Sequence, residues 1–120
     1  MSHTTRYLLG SIEVESLGEL KKYIRELADK MGYHVYEDPR VPSLFIETAD
    51  AVVEIIYDSE TKRIWARHPT HVRKAYKLAN LVKNYIRAKI AEEQAKKLYP
   101  YAITRIRTIG EDMVELEVSV

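Results

Sequence analysis

Four histidines, eighteen carboxylates and no cysteine are the side chains from which this 120-residue chain could build a reactive centre. One histidine pair has informative spacing. His68 and His71 stand three residues apart around Pro69, close enough to grip one metal ion if both rings face the same way, with His3 or His34 as a third ligand. A zinc site needs three or four ligands held by further hydrogen bonds, so the pair falls short, and a solvated pair beside Arg67 and Arg73 is the preferred reading. The acidic pairs Glu13/Glu15, Glu37/Asp38, Glu92/Glu93 and Glu111/Asp112 match no acid–base motif, because adjacent residues on a helix do not face each other. Gly10, Gly18, Gly32 and Gly110 are isolated, so no phosphate-cradling loop or nucleophile elbow is present. The expectation is a protein without enzymatic activity, metal or cofactor.

Charge carries the stronger signal. Residues 1–60 hold 6 basic and 12 acidic side chains, residues 61–90 hold 9 basic and none acidic, and residues 91–120 hold 4 basic and 6 acidic. The net charge of +1 therefore conceals a thirty-residue cationic block. Within it, Arg63, Trp65 and Arg67 share one side of an extended segment, since strands alternate with period 2. Arg73, Lys77, Asn80, Asn84 and Arg87 follow spacings of 4, 3, 4 and 3, and line one face of a helix opposite Val72, Ala75, Ala79, Val82 and Ile86. Lys74 and Lys83 add to that cationic ridge. Such a surface suits a phosphate backbone, with an unpaired base stacked on Trp65.

The elements that must hold these residues follow from pattern. Tyr7 to Val14 is read as a first strand with Gly10 as a bulge. Ser16 and Glu19 form a capping-box pattern for a helix through Met31, with Gly32 as its stop. Short strands are expected over 33–37, 44–48, 51–57 and 63–67, with a proline-containing loop at Pro39 and Pro42. Pro69-Thr70 is expected to open a long helix reaching about Leu98, which Pro100 ends. A terminal hairpin over 101–108 and 113–120 should place Arg107 opposite Glu115 and Arg105 opposite Glu117, with Ile106, Val114, Leu116, Val118 and Val120 inward. The order β-α-β-β-β-β-α-β-β describes a single α+β domain over 1–120, two helices on one mostly antiparallel sheet. The area scaling of folded chains gives it roughly 6,700 Å² of surface. No signal peptide or membrane span is evident, so the cytoplasm is the expected compartment. Two asparagines, one glutamine and 31% charged residues resemble thermophile usage.

The start Met1-Ser2-His3, the stop Met31-Gly32-Tyr33-His34-Val35 and the run Asn84-Tyr85-Ile86-Arg87-Ala88-Lys89-Ile90-Ala91-Glu92-Glu93-Gln94-Ala95-Lys96-Lys97 give the chain a further likeness. It resembles a family of small proteins of unknown function encoded in plastid and cyanobacterial genomes. Thr4 stands where that family has Phe, and the loop at Pro39 and Pro42 replaces its glycine-rich middle. The resemblance implies a fold and a genomic position beside an AAA-type ATPase, and no activity.

The leading expectation is a module that binds structured RNA through phosphates, using Arg63, Trp65, Arg67, Arg73, Lys74, Lys77, Asn80, Lys83, Asn84 and Arg87. The alternative is an adaptor for an acidic protein partner, with that ATPase as the partner the resemblance suggests, or a small homo-oligomer.

Overall fold

A computed structural model describes residues 3–120; Met1 and Ser2, which open the family-like start, lie outside the described residues. The elements are β1 (Thr4–Glu13), α1 (Leu17–Met31), β2 (His34–Glu37), β3 (Ser43–Glu47), β4 (Val52–Asp58), β5 (Arg63–Pro69), α2 (Arg73–Leu98), β6 (Ile103–Ile109) and β7 (Met113–Ser119). This is the α+β order expected, with every strand pair antiparallel. The strands form two sheets rather than one. Five strands run in the order β1-β5-β4-β3-β2, and β6 and β7 form a separate ribbon.

Local chemistry explains α1 at both ends. Ser16 Oγ accepts from the Glu19 amide at 3.1 Å, Glu19 Oε2 accepts from the Glu15 amide at 3.2 Å, and Gly32 closes the helix at φ 73°. Leu20, Tyr23, Ile24, Leu27 and Ala28 are thereby buried on one stripe. In α2 the buried set is Ala75, Leu78, Ala79, Leu81, Val82, Tyr85, Ile86, Ala88 and Glu92. Both helices share one core with the even residues Leu44, Ile46, Ile64 and Ala66 and the odd residues Val53, Ile55 and Tyr57 of the paired strands. That parity assigns one sheet face to the helices and leaves the other without a covering element among the described residues. No helix among the described residues is long and apolar enough to cross a membrane.

The start of α2 departs from expectation. Pro69 closes β5, because β1 pairs with that strand as far as Thr4↔Pro69 and the Thr70 amide donates to the His3 carbonyl at 2.9 Å. The helix begins four residues later at Arg73, with Val72 as a cap that offers no side-chain acceptor. Gly10 does serve the irregularity foreseen in β1: its φ is +69°, and the register shifts between Leu8 and Glu13.

Candidate functional site

On the uncovered face, strand pairing lays side chains in rows across the sheet. One row runs Tyr36, Phe45, Glu54, Arg67, Arg6, and the next runs Ser43, Ile56, Trp65, Leu8. Arg63, Trp65 and Arg67 do share this face, since the residues between them, Ile64 and Ala66, are fully buried in the core. The guanidinium that lies over the indole is from neither neighbour. It is Arg6 on β1, its Cζ 5.2 Å from the Trp65 ring centroid, a cation–π geometry. Two strands away the Tyr36 and Phe45 rings stack at 5.1 Å and 5°. Trp65 and Phe45 are half-buried, and Arg6, Leu8 and Tyr36 are exposed.

Charge within this face is unevenly spent. Arg67 Nη2 lies 2.6 Å from Glu54 Oε1, and Ser43 Oγ donates to Glu54 Oε2 at 3.0 Å. Glu54 is buried, so Arg67 acts first as its counter-ion. Glu54 Oε1 has no well-directed hydrogen bond, so this contact is a close ion pair. Arg63 meets Glu13 only at 3.9 Å, and Arg6 has no ion pair among the described residues.

The helical half of the expected site stands elsewhere. Because α2 packs behind the sheet, the ridge and Trp65 belong to different layers and cannot form one strand–helix surface. The ridge is also largely occupied from within. The hairpin turn brings Glu111 to Lys74 at 3.2 Å and Asp112 to Lys77 at 3.7 Å, and Asn84 Nδ2 donates to the Asp112 carbonyl at 2.7 Å. Lys83 lays its methylenes against β1, where a Cβ on Gly10 would stand 3.1 Å from Lys83 Cδ. Asn80 is half-buried; Arg73, Lys74 and Arg87 are exposed, and of these Lys74 is paired with Glu111. A cavity of about 430 Å³ lies beside Asn84 and Arg87, lined otherwise by Ala88, Ala91, Met113, Val114 and Leu116. Its apolar lining and single guanidinium do not form an anion site.

The histidines separate in the same way. His68 is buried on the helix-facing side, where Nε2 is 2.9 Å from the Tyr7 hydroxyl and Nδ1 is 3.1 Å from the Pro69 carbonyl. The carbonyl can only accept, so Nδ1 carries the proton and Nε2 accepts from Tyr7. Burial, helped by Tyr76, holds the Tyr7 hydroxyl above its ordinary range. His71 is exposed in the turn before α2 and shares no face with His68.

No local pattern in the sequence marks Arg6, Tyr36 and Phe45 as parts of one surface. Alternation places each on one side of its own strand, but the strand order that unites them with Trp65 joins residues 61 apart, as Tyr7 and His68 show. Comparison of the chain with protein-family models, with curated proteins and with solved structures finds no match.

Proposed function

We propose that this protein is a non-enzymatic cytoplasmic module that binds single-stranded segments of RNA on the uncovered sheet face. The observation that carries the reading is the Arg6–Trp65 stack beside the Tyr36–Phe45 pair on a face that no element among the described residues covers. A sheet that displays aromatics on its open side can stack two or three bases, each stack being worth about 1–3 kcal/mol. Neighbouring strands lie about 4.8 Å apart and successive same-face rows about 6.7 Å apart, so Phe45 on β3 and Trp65 on β5, two strands and one row apart, are roughly 12 Å apart, a span that an extended single strand can bridge. Arg6 and Arg63 supply positive charge at the rim, whereas Arg67 is committed to Glu54. The recognition surface is accordingly narrower than the sequence suggests.

Fluorescence anisotropy of a labelled single-stranded oligoribonucleotide tests the reading. Trp65→Leu should weaken binding about tenfold at every salt concentration, because a stack releases no counterions. Arg6→Ala with Arg63→Ala should flatten the log–log salt slope by about 1.4, at about 0.7 per phosphate. Wild-type binding by both variants, or none by the parent protein at low salt, refutes the assignment.

A further inference from the structure

Arg67 differs from the other paired arginines in the acid that answers it. The acids that meet Arg25, Arg40, Arg63 and Arg107 are each at least 30% exposed, so acid and guanidinium share the solvent side. Glu54 is the exception at 9%, its Oε1 2.6 Å from Arg67 Nη2 and its Oε2 held by the Ser43 hydroxyl at 3.0 Å. Ser43 is itself buried, so the carboxylate is fixed from within the protein and in turn fixes the guanidinium. The Arg67 side chain stays 50% exposed and donates no well-directed hydrogen bond among the described residues. A guanidinium carries five N–H donors in a planar fork and no acceptor, so a positioned set of donors faces the open side.

We infer that Arg67 reads guanine, its fork donating to O6 and N7 of one base in a single RNA strand; the inference rests on the RNA binding proposed for this face. Charge selects a base edge over a phosphate. The Arg67–Glu54 pair is net neutral, and a phosphate brought to it meets a buried, poorly screened carboxylate behind the guanidinium, whereas a neutral base edge meets only the donors. Arg63, whose acid stands 3.9 Å away, keeps more of its charge for phosphates.

Position and chemistry select the base. Arg67 is two residues from Trp65 on β5, one same-face row or about 6.7 Å away, and directly opposite Arg6 on β1. A base stacked on the Arg6–Trp65 pair has one edge within reach of the Arg67 fork. Guanine sets two acceptors, O6 and N7, side by side, while adenine places an amino donor beside its N7. Cytosine has adjacent acceptors too, but the larger purine covers more of an aromatic platform. A residue that served only as the counter-ion of Glu54 would need a positive charge and no fork, and lysine would replace it.

Fluorescence anisotropy of labelled oligouridines that carry one central guanine, adenine, cytosine, inosine or 7-deazaguanine provides the test. The wild type should bind the guanine strand about tenfold more tightly than the adenine or cytosine strand. Inosine keeps O6 and N7 and should bind within about twofold of guanine, whereas 7-deazaguanine lacks N7 and should bind like adenine. The preference should be the same at low and moderate salt, because a neutral pair releases no counterion. Arg67→Lys keeps the charge beside Glu54 without the fork and should abolish the preference. Arg63→Ala removes a phosphate contact and should weaken every strand equally, leaving the preference intact. Equal binding of the guanine and adenine strands by the wild type overturns the inference and leaves RNA binding standing; no binding of any strand refutes both. A preference that survives 7-deazaguanine or Arg67→Lys overturns it as well, as does a cytosine strand bound as tightly as the guanine one.

Discussion

The sheet face and the α2 ridge arise from the same acid-free stretch of chain, yet the fold treats them in opposite ways. Arg63 and Trp65 stay on an uncovered surface and gain Arg6 from β1. Lys74, Lys77 and Asn84 are met by a turn some thirty residues downstream, whose Glu111 and Asp112 supply the acid that the local sequence lacks. A segment's charge count is thus a property of the chain, whereas the field at a surface belongs to the fold. Exposed ion pairs contribute only about 0.2–1 kcal/mol each, so the turn's effect on stability is small and its effect on available positive charge is large.

Three experiments sharpen the contrast. The largest effect should come from the sheet face, where Arg67 answers a buried carboxylate. Arg67→Ala should lower unfolding free energy by about 2–3 kcal/mol, because Glu54 keeps only the Ser43 hydroxyl, and Glu54→Gln added to it should recover most of the loss. Lys77→Ala, its counterpart on the ridge, should cost less than about 0.5 kcal/mol. Urea denaturation measures both, and equal costs would erase the distinction.

An intermediate effect is expected where α2 anchors the ribbon. Burial pushes the Glu92 carboxyl up, but the Thr104 hydroxyl at 2.9 Å and the Lys89 ammonium at 3.1 Å outweigh it and hold the group below the usual glutamate range. A carboxyl depressed in the folded state stabilises above its unfolded pKa of about 4.3 and loses that contribution as pH falls through the folded value. Glu92→Gln should therefore cost about 1 kcal/mol at pH 7 and flatten the decline in stability below about pH 4.3, as followed by thermal melts from pH 7 to pH 2.5. A variant with an unchanged acid limb would show that Glu92 is not a source of that decline.

The smallest change in stability should accompany the most informative change in binding. Glu111→Gln with Asp112→Asn should shift unfolding free energy by only a few tenths of a kcal/mol while freeing Lys74 and Lys77. If these lysines then meet phosphates, the salt slope for RNA steepens by about 1.4. An unchanged slope would mean that the ridge plays no part even when uncovered.

Where sequence and structure agree, the determinants are local. Arg107 faces Glu115, Arg105 faces Glu117 and Ile106 faces Leu116, because a short turn and alternation together set the register. Arg107 bonds both Glu115 and Glu117, and the Glu115 carboxyl is held below its ordinary range by that guanidinium. The same holds for α1, whose cap, stripe and stop lie within seventeen residues of sequence from Ser16 to Gly32. What could not be read is long-range. Val118 points toward the inner side as alternation requires but is exposed, and Val120 lies past the end of β7. The division into two sheets, the extension of β5 through Pro69 and the screening of Lys77 by Asp112 each depend on partners that no local pattern names.

The place of β1 has a consequence for how the molecule assembles. Strands β2 to β5 follow one another as a meander, each pairing with its neighbour in sequence, so they need only short closures. Strand β1 is adjacent to none of its sequence neighbours and must wait for β5, closing a loop of about sixty residues at greater entropic cost. Arg6 and Leu8 thus reach Trp65 only once β1 has docked on β5. A nascent or partly opened chain can display the indole but lacks the guanidinium that orders it, which makes the finished face a mark of the fully folded state.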